Sequence, residues 1–552
     1  MPRATTLKPL VLIPFATLLV LHPLFIHGPS IGQDLNFHIQ SWLDAAHQLH
    51  QGHYPHWDAT AAWNAGEPRF LFYPPISWLL GALLTLIFPL NLCPTIFIAI
   101  ALVASGLTFY KLASHFTTPN AALIASTLYL ANPYMLFTAF ERSALSELLA
   151  AAWIPLLLLA LLRPRPTIRG VAIPLALLWL TNAPAAVIGS YTVALLATLR
   201  VIIAIASTQK LSSRPKAAGR SGETCSSIAP HAATSPASAG YPEASASGPI
   251  STQKERGFSP WDSQPQPTPL HLARTYLAGT LLGLTLPAFY LIPAATQRRF
   301  IQVAMAIFPN LRYQDNYLYT HTTDAAHNAV NHTISTIALT LLILTAATLL
   351  TLLISRTRKP SPPHEPFSPI PYPLPAILAF LTILIAILLT PISTPIWQHL
   401  PELPYLQFPW RLLTLLTPVL ALATALLIDR ATLMGAPFMR GTWRMSGRAT
   451  LLAALLLPLA IAVPAYRLFH QPSNLTNSPS HLAQLFTTHH GFPPTDEYTP
   501  TTADNDPLRS NNPAYWLLPA NTNPNTPAPN TTPTAAELNP TLDTDDTPIP
   551  DT

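Results

Sequence analysis

Charge is sparse in this 552-residue sequence. Only 10% of its residues are Asp, Glu, Lys or Arg, less than half of the roughly one quarter that soluble chains carry. Cysteine is nearly missing: with only Cys93 and Cys225, neither a disulfide framework nor a cysteine zinc site can be built. Glycine is scarce at 19 residues, and the 62 prolines follow no collagen period. The formal charge of +5 comes from basic residues dispersed among loops, which is no nucleic-acid footprint. No internal repeat is evident, which weakens an inverted-repeat transporter reading.

What is present is apolar. Hydrophobic residues make up 49% of the chain, at a mean hydropathy of +0.32. They come in blocks of about 20, the length that crosses a hydrocarbon layer ~30 Å thick. Length alone would suggest several soluble domains, but this patterning overrides it. It predicts an all-α polytopic membrane protein with about 11 spanning helices, at 9–27, 92–112, 119–137, 144–163, 169–183, 184–206, 273–293, 333–355, 373–391, 412–429 and 447–466. The first block follows Arg3 and Lys8 like a signal peptide, but it lacks a small-x-small cleavage site and reads as an uncleaved first helix.

One further block, Ile76 to Leu90, is short for a span. If it is re-entrant or interfacial, 21 of the 29 Lys and Arg fall on one side of the membrane. The other side then keeps Arg69, Arg142, Arg298, Arg299, Arg312, Arg411, Arg467 and Arg509. If it crosses, every later loop inverts and the basic loops move outside. The positive-inside rule selects eleven crossings, with a cytoplasmic N-terminus and an external C-terminal tail. The chain then divides into an N-terminal membrane half (1–206) with a long external loop at 28–75, and a C-terminal membrane half (271–466). Residues 207–270 between them, rich in Ser, Ala, Pro and Lys, read as a disordered cytoplasmic linker. Residues 467–516, with Phe469, Phe486, Phe492, Tyr498, Tyr515 and Trp516, read as an external cap, and 517–552 as a disordered tail.

The informative residues lie on the external side. In the stretch Asp34 to Gln51, Leu35, Ile39, Trp42, Ala46 and Leu49 share one helical face. Asp34, His38 and Ser41 form a polar stripe beside it, expected to turn toward a water-filled cavity from a helix lying in the interface. An irregular chain follows, with His53-Tyr54-Pro55-His56-Trp57 and then Gly66-Glu67-Pro68-Arg69-Phe70-Leu71-Phe72-Tyr73-Pro74-Pro75.

An aspartate just after the first span, a Tyr-Pro-x-Trp and a Tyr-Pro-Pro entering an apolar helix resemble integral-membrane glycosyltransferases of the GT-C type. More closely, the chain resembles the bacterial "6-pyruvoyl-tetrahydropterin synthase-related" membrane proteins. The matching pieces are Gln33-Asp34-x-x-x-His38, Tyr73-Pro74-Pro75, Glu141-Arg142-Ser143-Ala144-Leu145-Ser146-Glu147, Leu406-Gln407-Phe408-Pro409-Trp410-Arg411 and Glu497-Tyr498-x-Pro500. The pterin in that name carries no chemical weight, because nothing in the sequence supports a soluble barrel. The resemblance covers about residues 30–500 and implies a GT-C-like fold. It also implies a polyprenyl-phosphate sugar donor, and an acidic active-site residue in the first external loop, where Asp34 matches.

Transfer from such a donor needs a carboxylate to take the acceptor proton, for which Asp34 and Glu67 are the candidates. It needs cations at the departing phosphate, which arginine holds bidentately. Arg142 and Arg411 suit that role, with His38, Arg69, Tyr73, Glu147, Gln407 and Trp410 as further substrate-binding candidates. Each has a plainer reading. Asp34 would N-cap its helix, Arg142 and Arg411 would snorkel, and Glu141, Arg142 and Glu147 would form a helix-start ion pair. Tyr73 and Trp410 would then be aromatic-belt anchors.

His47, His50, His53 and His56 recur every three residues, but Gly52 and Pro55 break any shared face. No metal site is assigned, and no motif demands a cofactor; a divalent metal at Asp34 and Glu67 stays open. The expectation is a glycosyltransferase of the bacterial inner membrane, acting at the external face on a lipid-linked sugar, with membrane lipid as its other partner and no nucleic acid. A lipid or glycan transporter or flippase, and a non-catalytic envelope-polysaccharide assembly factor, are the alternatives.

Overall fold

The computed structural model describes residues 7–212, 267–357, 374–433, 447–474 and 476–503. Most of the expected linker and all of the expected tail, with Tyr515 and Trp516, lie outside the described residues. Every regular element among the described residues is helical, and the only extended pairings there are isolated bridges, Asp58 with Glu67 and Ile301 with Pro500.

The first half runs α1 (Leu7–His27), α2 (Leu35–His50), α3 (Arg69–Phe72), α4 (Pro75–Ile87), α5 (Cys93–Ala113), α6 (Pro119–Leu130), α7 (Pro133–Phe140), α8 (Leu145–Ala150), α9 (Ile154–Leu162), α10 (Ile168–Thr181) and α11 (Ala183–Ser212). The second runs α12 (Pro269–Thr285), α13 (Ala288–Gln297), α14 (Ala325–Thr357), α15 (Leu374–Leu388), α16 (Thr394–His399), α17 (Leu413–Leu433), α18 (Gly447–Phe469) and α19 (Pro479–Thr487). Helix α11 continues to Ser212, so the expected linker begins as helix.

Proline abundance follows from this plan. Pro75, Pro94, Pro119, Pro133, Pro269 and Pro479 all sit in the first turn of a helix, where a missing N–H costs nothing. Side-chain caps start several helices: Asn132 accepts from the amides of Tyr134 and Met135, and Thr167, Thr268 and Ser478 cap α10, α12 and α19.

Among the described residues, eight helical segments are long and apolar enough to cross a membrane, or ten if each of two bent pairs is one span. The bends are 70° between α12 and α13 and 90° between α15 and the 391–399 segment. The chain is therefore an all-helical integral membrane protein. The span expected at 169–183 is α10, with 14 residues, about 21 Å of helix at 1.5 Å per residue. The doubtful block forms α4, 13 residues long and packed on α2. Gly81 makes that contact by admitting the Trp42 ring: a Cβ there would lie 2.0 Å from the indole.

Basic residues gather at one end of the bundle. There Asp429 accepts the Thr118 amide, Arg430 Nη2 donates to Ser355 O, and Arg200 closes the end of α9 by donating to the carbonyls of Leu161, Arg163 and Pro164. The loops of 28–68, 298–320 and 470–503 gather at the opposite end, where α19 packs on α2.

Helix α2 itself is more enclosed than an interfacial helix. Leu35, Ile39 and Trp42 are buried, but so are His38 and Ser41. The polar stripe is therefore turned into the protein, and of its members only Asp34 remains open to solvent.

Candidate functional site

Asp34 is placed by backbone pairing between two segments distant in sequence. The amides of Gln33 and Asp34 donate to the carbonyls of Glu141 and Arg142, at 3.3 and 2.8 Å. The Ser30 hydroxyl donates to Phe140 O at 2.7 Å, and the Gly32 amide to Ser143 Oγ at 3.0 Å. The approach leaves no room for a side chain at Gly32, where a Cβ would stand 2.5 Å from Glu141 O and 2.7 Å from Ser143 N. Gly32→Ala is expected to push the segments apart and destabilise the protein by about 1–3 kcal/mol, the usual cost of overpacking. A thermal-unfolding curve superimposable on wild type would contradict this.

The side chain of Asp34 makes no cap hydrogen bond, although the residue occupies the N-cap position of α2. The capping role expected from sequence is not what holds it. Its nearest cationic partner is Arg142 Nη2 at 3.7 Å, and the side chain is 45% exposed while that of Arg142 is 4% exposed. The carboxyl thus sits below the protein surface but open to solvent, as in a crevice. Burial raises its pKa, Arg142 and Arg411 oppose that rise, and Glu147 adds to it.

Glu147 organises the two arginines. It accepts from Arg142 Nη1 at 2.8 Å and from the Tyr134 hydroxyl, and lies 3.3 Å from Arg411 Nε. Both guanidiniums lie over aromatic rings: Arg142 over Trp410 at 4.7 Å, and Arg411 over Phe408 at 4.9 Å, with Phe408 and Trp410 stacked on each other. These contacts supply cation–π attraction on a rigid floor. Arg142, Trp410 and Arg411 are consequently neither snorkelling anchors nor belt residues. Of the expected helix-start ion pair, Arg142 with Glu147 is present, while Glu141 accepts from Gln471 at 2.6 Å instead.

Gln407 holds Arg411 from the other side. Its Oε1 accepts from Arg411 Nη1 at 3.1 Å, and its Nε2 donates to Ala306 O at 2.6 Å. At φ 61°, ψ −52°, with the Phe408 amide donating to Leu406 O at 2.6 Å, Gln407 is the centre of a rare, strained γ-turn. Glu147 and Gln407 thereby hold the two arginines in place. The second η nitrogen of Arg411 has no hydrogen-bond partner among the described residues.

His38 and Tyr73 border this group. Burial, and then the charges of Arg69 and Arg142, lower the imidazole to about 3, so His38 is neutral and its Nε2 accepts the Leu145 amide at 3.3 Å. Tyr73 shares a 2.8 Å hydrogen bond with Ser146, which also accepts from Asn182. Burial raises the Tyr73 phenol.

No protein-family model and no curated protein matches this chain.

Glu67 and Arg69 belong to a second cluster. Arg69 Nε donates to Glu67 Oε1 at 2.7 Å, its Nη1 lies 3.0 Å from Asp58 and donates to Ser41, and its Nη2 donates to Thr495. The other Glu67 oxygen accepts the Thr495 amide at 2.9 Å. Both residues are buried, and Glu67 ties the loop to the cap segment through Arg69 and the Thr495 amide. Asp44 lies beside them, its pKa raised by burial and then by Asp58, with Gln48 and the Ala59 amide as hydrogen-bond donors. Among the described residues no three His, Cys, Asp or Glu side chains are grouped to hold a metal ion. His47 instead pairs with Gln51 and packs on Phe486.

Sequence reasoning missed Tyr134 and Phe408 in the first cluster and Asp44 and Asp58 in the second. Phe408 lies inside the Leu406–Arg411 motif. The other three lie outside any recognisable motif, and the charged partners of Tyr134 and Asp58 lie more than ten residues away.

Proposed function

We propose that this protein is a GT-C-type glycosyltransferase that moves a sugar from a polyprenyl-phosphate donor to an envelope acceptor at the external face of a bacterial inner membrane. The observation that carries the reading is Asp34, a half-exposed carboxylate without a hydrogen bond among the described residues, beside the buried Arg142 and the partly buried Arg411, both held by Glu147. Asp34 takes the acceptor hydroxyl proton as that oxygen bonds to the anomeric carbon. The anomeric carbon–oxygen bond breaks, and its electron pair leaves with the polyprenyl phosphate. The phosphate gains negative charge in this step, and Arg142 and the second η nitrogen of Arg411 stabilise it.

A cleft of ≈510 Å³ supports a lipid donor. It is lined by Ile188, Leu195, Leu384, Leu388, Leu403 and Leu412 among others, and Leu412 directly follows Arg411. Its lining is almost entirely apolar, as an isoprenoid tail requires. The basic end of the bundle is assigned to the cytoplasm by the positive-inside rule, which leaves Asp34 external. Of the charges inside the described spans, the buried Glu147 and the partly buried Arg411 lie within three residues of a span end at the site, and the buried Arg200 lies in the half of its span toward the basic end. This favours a one-faced site over a translocation path.

The test is release of polyprenyl phosphate from a panel of labelled polyprenyl-phosphate hexoses by the purified chain in vesicles with envelope extract. No release from any donor, and no inhibition by free polyprenyl phosphate, would overturn the reading. Arg411→Lys keeps the charge but loses the planar fork. It is expected to raise the donor KM about 10–100-fold, the weight of charge-assisted hydrogen bonds. An unchanged KM would remove Arg411 from the phosphate site.

A further inference from the structure

The basic end of the bundle carries a second cleft that the proposed transfer does not use. The spans α1, α6–α7 and α18 pack on one another and run parallel. At the site end, His27 of α1 and Phe140 of α7 both meet Tyr466 of α18, with ring centroids 6.5 and 6.2 Å apart. At the other end the first turns of α1, α6 and α18 line one cleft of ≈360 Å³, through Lys8, Asn120 and Thr450. Three helix N-termini converge there, each equivalent to roughly half a positive charge.

Lys8 adds a full charge, and it has no ion-pair partner among the described residues. One anion stands nearby, Asp429, whose Oδ1 accepts the Thr118 amide at 2.8 Å where α6 begins. The observation that points to a ligand is Thr450. It lines the cleft at 3% exposure, and its hydroxyl has no hydrogen-bond partner among the described residues. The rest of the lining is apolar: Val11, Leu12, Leu123 and Leu451. Val11 is 59% exposed, so the cleft opens sideways toward hydrocarbon. A soluble anion would call for polar walls on all sides, whereas a cationic rim above an apolar, laterally open wall is complementary to an anionic lipid.

We propose that this cleft binds one anionic phospholipid. Its phosphate lies at Lys8 and Thr450, beside the N-terminus of α18, and an acyl chain follows Leu12, Leu123 and Leu451. The site is separate from the transfer site and does not depend on it.

The test uses the full chain, purified and delipidated in detergent, titrated with phosphatidylglycerol or phosphatidylcholine and read by native mass spectrometry. One phosphatidylglycerol is expected to be retained where phosphatidylcholine is not. Lys8→Gln should weaken it about fivefold, the worth of one basic residue at an anionic lipid, without changing thermal unfolding. Val11→Trp, which fills the cleft from an exposed position, should abolish retention with Lys8 intact. Equal retention of both lipids, or unchanged phosphatidylglycerol binding in both variants, would overturn the proposal. Displacement of the lipid by excess inorganic phosphate would also overturn it, by marking a plain anion site.

Discussion

Asp34→Asn is expected to lower transfer by about 10²–10⁴, the usual weight of general acid–base catalysis, and to leave thermal stability close to wild type. The stability half of this expectation rests on geometry. The Asp34 carboxylate makes no cap hydrogen bond, and its one ion pair is long, at 3.7 Å to Arg142, with the side chain 45% exposed. Asn also caps helices as well as Asp does. The activity half rests on basicity, which Asn lacks entirely. Burial raises the Asp34 pKa against the opposing arginines, so the acid limb of kcat/KM should fall above the ordinary carboxylate range. Transfer is lost as the pH drops through that raised value, because the protonated acid cannot accept the hydroxyl proton. Wild-type activity in Asp34→Asn would remove the base. A matching fall in melting temperature would instead make Asp34 structural.

Two features explain how far the sequence alone reached. Apolar blocks report length and composition, so α1, α5 and α18 lie close to their expected positions, while α14 begins eight residues before its expected start. Bends are not composition. The 70° break after Thr285 and the 90° break after Leu388 fall at Pro287 and Pro391, which a hydropathy window does not weigh. For the site, Glu141–Glu147 and Leu406–Arg411 stand out as motifs and do converge, through the contacts of Glu147 with Arg142 and Arg411. Their internal division of labour was hidden. That Gln407 ties Arg411 to Ala306, a hundred residues away, follows from a γ-turn that no residue preference announces. The Asp34 strap likewise depends on a close backbone approach at Gly32, and a glycine in a loop predicts no particular partner.

The second large effect concerns Arg69. It is the cation that faces Asp58 and Glu67 directly, with Asp44 alongside, and all of these side chains are buried. It also bonds Ser41 of α2 and Thr495 of the cap, and lies 4.4 Å over the Phe37 ring. Arg69→Met keeps much of the apolar stem contact and removes the charge, leaving two carboxylates uncompensated away from water. Breaking a buried pair in this way costs about 3–5 kcal/mol. The expected result is a lower melting temperature and faster proteolysis within 476–503, since the Thr495 hydroxyl loses its Arg69 partner. The pH dependence has a fixed sign. The carboxyls of Asp44 and Glu67 are raised by burial, and Arg69 opposes that rise. A group raised on folding stabilises the folded state at low pH and loses that contribution as pH rises through its folded value. Removing Arg69 raises these groups further, so the deficit of Arg69→Met should be larger at pH 8 than at pH 5. Arg69→Lys, with its charge kept and its fork lost, should fall between the two. A deficit that is absent at pH 8, or larger at pH 5, would show that the guanidinium does not hold this cluster together, and Glu67 would return as a candidate for the chemistry.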